Sequence, residues 1–197
     1  MVFVFIAPVY RLIHNIVNEK QQKVRELMKM MGLTDFPYWL SWFCYYLVII
    51  TILSILMTII MIPMFPNSNK FLIFVYFWLY GMALFSYSVF ISSFFSNGKV
   101  ASIAGSLVLF FSSFLILIVA DEKGNQGAKH IFSLFPVVAI QLASPIMFAF
   151  EGGGTGLNFD NTNVTYYNYR VSFCFMWLII GFFFFFVLGI YLENVLP

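Results

Sequence analysis

Charge is what this sequence has least of: charged residues make up 9% of it, against 62% hydrophobic and 21% aromatic. A water-soluble domain needs far more polar surface than that to cover its core. The net charge of +2 is small and gathered in one segment, which argues against a nucleic-acid partner. There are only two cysteines, Cys44 and Cys174, both inside apolar runs, so they read as packing residues and not as a disulfide. Of the two histidines, His14 and His130, neither has a second His, Cys or carboxylate at metal-ligand spacing. The sequence has no GxxxxGK[ST], no Rossmann glycine run, no HExxH, CxxC or GxSxG, and hence no motif for nucleotide or hydrolytic chemistry. Ionisable residues are nearly absent from the apolar runs, which argues against a proton-coupled pump or a charged ion pore. The opening MVFVFIAPVYRLIH lacks a basic start and a cleavage site, so it does not read as a signal peptide.

What is there is apolar sequence in runs longer than the roughly 18 residues that mark a membrane-spanning candidate. The expected class is an all-α polytopic membrane protein, with whole spans at residues 38–62, 71–95, 100–120 and 171–192. Residues 1–17 are too few to cross, so they read as the end of a span, and the chain as a piece of a longer protein. Tyr38, Trp39, Trp42, Tyr45 and Tyr46 form an aromatic belt at one end of the second run, and Tyr166, Tyr167 and Tyr169 another before the last. Ser86, Ser88, Ser92 and Ser93 are hydroxyls able to bond back to their own helix. Ala101 with Gly105, and Ser102 with Ser106, are small residues four apart that let a neighbouring helix approach closely. Residues 131–150 are apolar but interrupted by Pro136, Gln141, Ser144 and Pro145, which fits a re-entrant helical hairpin.

One stretch differs from everything else. Residues 18–33, NEKQQKVRELMKMMGL, hold Glu19, Lys20, Lys23, Arg25, Glu26 and Lys29. Asn18 with Gln21 fits a capping box, and Glu19–Lys23 and Glu26–Lys29 have the spacing of helical ion pairs. Val24, Leu27, Met28 and Met31 recur at helical spacing as an apolar stripe, and Gly32 is placed to end the helix with Leu33 folding back on Met28. Two readings stand side by side: a helix lying on lipid headgroups, and a helix docking a protein partner in the cytosol. Five basic residues between Arg11 and Lys29 put this segment on the cytosolic side. Counting spans then places the external loop 151–170 outside, where Asn163-Val164-Thr165 is a candidate glycosylation site.

The run EKQQKVRELMKMMGL followed by YWLSWF resembles the membrane domains of ABC transporter subfamily A, at Glu19, Lys20, Glu26, Met31, Gly32, Leu33, Trp39, Ser41 and Trp42. ISSFFSNGKVASIAGS is similar to that family's tight inner turn after its fourth helix, SLFPVVAIQLASPIMFAFEGGGTGLNFDN to its external hairpin, and YLENVLP to its exit from the last helix. The resemblance implies an ABC-2 type exporter bundle that moves lipids or other amphipaths, built from two transmembrane halves and two ATPase domains. It implies that residues 18–33 are a coupling helix seated on a nucleotide-binding domain, with Glu19, Val24, Arg25, Glu26, Leu27, Met28, Met31, Gly32 and Leu33 as its contact set. Residues 131–150 would be the external hairpin. ATP and Mg would belong to nucleotide-binding domains outside this chain, which is not expected to be an enzyme by itself and to need no cofactor of its own. The runner-up is a structural or channel-like membrane subunit whose polar helix floats on the lipid surface.

Overall fold

The computed structural model describes residues 2–32, 34–119 and 125–195. Among these residues the elements are a 3-10 turn at Val2–Phe5 and nine α-helices: α1 Ile6–Gln21, α2 Val24–Met30, α3 Asp35–Met61, α4 Lys70–Ser92, α5 Gly98–Ser112, α6 Ile116–Val119, α7 Gln126–Phe132, α8 Pro136–Gly152 and α9 Val171–Val195. A 3-10 turn at Ser113–Leu115 joins α5 to α6, and among the described residues there is no strand. Leu33, the side chain of Arg25 and the polar loop 121–124 lie outside the described residues.

Among the described residues four helical stretches are long and apolar enough to cross a membrane: Phe36–Met61, Lys70–Ser92, Gly98–Val119 and Val171–Glu193. Of the apolar window in the second of these, 78% is buried inside the protein, against 28% to 33% in the others, so α4 is the hub around which the rest are arranged. Its serines can be buried because Ser86, Ser88, Ser92 and Ser93 each donate to a carbonyl of their own helix. The most extensive helix pairing is α4 with α9, and it is close at Gly189, where an added Cβ would lie 2.9 Å from Phe90 N. Next comes α1 with α5. Gly105 of α5 sits under Ile13, whose Cδ1 a side chain there would meet head-on. Ala101 and Ser102 are buried on the same side, while Ser106 is half-buried and bonds back to Ile103 O.

The aromatic belts are only partly at the surface. Tyr45 is exposed, but Tyr38, Trp39 and Tyr46 turn inward and form a core cluster with Leu12, Ile16 and Phe85. Tyr169 is buried too, its hydroxyl sharing a 2.9 Å hydrogen bond with Ser133 Oγ. Burial pushes this hydroxyl well above the ordinary tyrosine value, so it remains a neutral hydrogen-bonding group. Cys174 is buried in the core, but Cys44 is exposed and does not pack inside.

The segment 131–150 is broken beside only the first of the residues its sequence suggested, Pro136. Pro145 lies inside α8 without ending it, and the break falls earlier, at 133–135, with Pro136 in the first turn of α8, where a missing N–H costs nothing. One turn before Pro145 the helix is packed through Ile140 O, which accepts the Tyr76 hydroxyl at 2.6 Å and the Ser144 hydroxyl at 2.8 Å. The turn sits beside the middle of α9. Leu134 O is 3.2 Å from the Cβ position of Gly181, which is ten residues, or about 15 Å, into that helix. From there α8 returns to the end where α4 begins, and the Glu151 carboxylate accepts Asn67 N–H at 2.8 Å and the Ser68 hydroxyl at 2.6 Å. Ser68 Oγ in turn accepts Leu157 N–H, and Leu157 O accepts Asn69 N–H, both at 2.8 Å, which ties the loop after α8 to the α3–α4 turn. Gly156, at φ +62°, passes so close to the Asn67 carbonyl that no side chain would fit.

Candidate functional site

The site is at the opposite end of the bundle, where α1 leaves it and α3 enters. Residues 18–33 do not form one helix. The polar start, Asn18 to Gln21, is the last turn of α1, so Asn18 is an interior residue and caps nothing. The chain then turns at Gln22 and Lys23, and Lys23 adopts a left-handed φ of 55°, uncommon outside glycine and asparagine. Long-range bonds fix the end of α1 just before the break. Gln21 Oε1 accepts Gly98 N–H at 3.3 Å, and Glu19 Oε2 accepts the Tyr38 hydroxyl at 3.0 Å and Trp42 Nε1–H at 3.3 Å. Glu19 is thereby a brace between α1 and α3 and not the partner of Lys23.

Beyond the break, α2 is a separate helix of seven residues. An isolated helix this short is not stable in water, so its anchorage decides its position. Met28 packs onto the cluster that holds Leu12, Ile16, Tyr38 and Trp39, and Val24 is half-buried. These two members of the sequence stripe therefore face inward. Leu27 and Met31 face out, 53% and 80% exposed, and Met30, which the stripe did not include, joins them at 77%. Glu26 is exposed beside them. Gly32 follows at φ +95°, with its N–H on Lys29 O, so the helix ends in a left-handed turn at the glycine. The result is a short projecting helix that shows three large apolar side chains away from the bundle. Met30 lies three residues after Leu27 and shares its face, a spacing the sequence already carries.

At the other end, Asn163 is exposed in the loop before α9, and the hydroxyl of Thr165 accepts Arg170 Nε–H at 2.8 Å. His130 Nδ1 accepts Trp177 Nε1–H at 2.9 Å, a structural role. Among the described residues no group of three His, Cys, Asp or Glu side chains could hold a metal ion.

The family model described as "ABC-2 family transporter protein" matches residues 1–191. The human glucosylceramide transporter ABCA12 is 30% identical over 202 residues, 98% of this chain and 8% of the relative. The human cholesterol transporter ABCA5 is 28% identical over 191 residues, 95% of this chain and 12% of the relative. The mouse phospholipid-transporting ATPase ABCA3 is 31% identical over 174 residues, 83% of this chain and 10% of the relative. The chain thus spans 8% to 12% of the length of these relatives. The chain belongs to the ABC-2 transporter family, as a multi-pass transmembrane region of the subfamily A type.

Proposed function

We propose that the chain is the membrane-spanning part of an ATP-driven exporter of lipids or other amphipaths, and that α2 is its contact with a nucleotide-binding domain. The observation that carries the reading is the outward face of Leu27, Met30 and Met31 on a helix anchored from behind by Met28. Three large apolar side chains projecting together at the polar end of a bundle fit a protein surface. Methionine suits such a contact because it repacks against a moving partner. The names of the relatives, transporters of glucosylceramide and cholesterol and a phospholipid-transporting ATPase, support a lipid substrate. ATP and Mg are bound by the nucleotide-binding domain, and a second transmembrane half completes the path. Closure of the ATP-loaded domains pushes α2, and Glu19, Tyr38 and Trp42 pass that displacement to α1 and α3 together. The helix pair α7–α8 is re-entrant from the external side, supported by its turn lying halfway along α9 and by its return to Asn67.

The direct test uses the full-length transporter with Met31→Cys and a short thiol cross-linker. A nucleotide-dependent cross-link to the ATPase domain is expected; labelling by lipid-soluble reagents alone would favour the surface-helix reading. Topology has its own check. Asn163→Gln should remove a glycosidase-sensitive gel shift, and labelling of Asn163→Cys from the cytosolic side would refute the assignment of that loop to the exterior.

A further inference from the structure

Helices α1 and α3 both pack on α4 but diverge from one another, and two adjoining cavities of about 420 Å³ and 440 Å³ lie between them. Asn15 and Tyr45 line both, so the two form one groove that opens sideways from the bundle. Its inner part is walled by Ala7, Pro8, Ile49, Ile52 and Leu53, all apolar. Its outer part is closed by Met28 of α2 and by Trp42.

The polar groups along this groove follow an order. Arg11, Asn15 and Glu19 stand four residues apart on one face of α1, about 6 Å per step, running from the apolar part toward α2. Arg11 is exposed, and among the described residues no carboxylate pairs with it. A guanidinium at a helix end in the membrane reaches toward the headgroups, where the anion it meets is phosphate. Glu19, one step beyond Asn15, is framed by Tyr38 and Trp42, and Trp42 meets Tyr45 edge to face at 5.9 Å. The Tyr38 hydroxyl and the Trp42 indole N–H both donate to Oε2 and hold the Glu19 carboxylate in place as a counter-charge for an ammonium group.

From this arrangement we infer that the α1–α3 groove binds one zwitterionic, ammonium-headed phospholipid of the adjacent leaflet. The acyl chain lies against Ala7, Pro8 and Ile52, the phosphate on Arg11 and Asn15, and the choline or ethanolamine nitrogen at Glu19 among Trp42 and Tyr45. Apolar, cationic, amide and anionic groups in that sequence complement tail, phosphate and ammonium in theirs. A glycerol headgroup would leave Glu19 without a cation, and a serine headgroup would bring a second carboxylate to it. The site needs only the membrane reading of the chain and not the docking of α2.

Native mass spectrometry of the full-length protein in detergent, with matched-chain phosphatidylcholine, phosphatidylethanolamine and phosphatidylglycerol at equal concentration, tests it. Choline and ethanolamine lipids should be retained about tenfold over the glycerol lipid, and Arg11→Gln should lower retention of both about tenfold. Glu19→Gln keeps an oxygen for the Tyr38 and Trp42 donors, so the fold is retained, but it should abolish the preference by raising the glycerol lipid to parity. Equal retention of the three lipids by the unaltered protein, no change of preference in Glu19→Gln, or no lipid adduct because a protein helix fills the groove would each overturn the inference. Aspartates at Leu27, Met30 and Met31 should leave the lipid preference unchanged, so failure of the docking reading is told apart from failure of this one.

Discussion

Replacing Leu27, Met30 and Met31 together by aspartate is expected to lower transport in the full-length transporter at least about tenfold while leaving the protein inserted and folded. The size follows from the contact. Each of these side chains, when buried against a partner, contributes on the order of 1.5 to 3 kcal/mol, and about 1.4 kcal/mol is already a factor of ten. Losing all three, and asking a partner to bury three carboxylates, removes the docking energy several times over. The fold is spared because all three project away from the bundle, and α2 is held by Met28 and the half-buried Val24 instead. Aspartate near the end of a helix is also disfavoured by its dipole, so a companion variant with glutamine at the same positions separates helix loss from lost docking. Lipid movement and ATP turnover in proteoliposomes are the measurements. Transport should fall while basal ATP turnover persists, whereas transport at the original rate in the triple variant would remove α2 from the mechanism.

The second large effect is structural. Gly189→Val should destabilise the protein by about 3 kcal/mol or more, the upper range for forcing volume into a packed interior. At Gly189 a Cβ would approach Phe90 N at 2.9 Å, Phe90 Cα at 3.0 Å and Val89 C at 3.1 Å. These are backbone atoms of the central helix, so relief requires moving α4 away from α9 and opening the most extensive pairing in the bundle. Gly105→Val meets Ile13 Cδ1, the end of a side chain that can rotate, so its effect should be smaller. Apparent melting temperature and monodispersity in detergent rank the two. A Gly189→Val protein as stable as the original would mean that α4 and α9 do not pack this closely.

Much of the membrane architecture was legible because a bilayer imposes length and apolarity on any span, and both are counted directly from sequence. The glycine stop at Gly32 was legible for a similar reason: a left-handed turn after a helix selects glycine locally. The break at Gln22–Lys23 was not. The residues around it are good helix formers, and the bonds that fix the last turn of α1, from Gln21 and Glu19, run to residues far away in sequence. Once the helix restarts at Val24, the stripe of Val24, Leu27, Met28 and Met31 divides between an anchored and an outward face. The same holds for Tyr38, Trp39 and Tyr169, whose amphipathic rings suit an interface but which the bundle uses as core.

By itself, then, the sequence determined the class of protein, which stretches are long and apolar enough to cross a membrane and the one polar segment set apart from them, since these follow from how much apolar surface each stretch must hide from water. Only the tertiary structure decided where the prolines fall in the helices: Pro145 is carried inside α8, which is packed on α4 through the Tyr76 hydroxyl, while Pro136 begins that helix. It alone decided which side chains of α2 are free to meet a partner and that Arg11 and Glu19 border one groove. The reason is the same in each case: orientation about a helix axis is set by contacts between segments remote in the chain, and no local pattern records them.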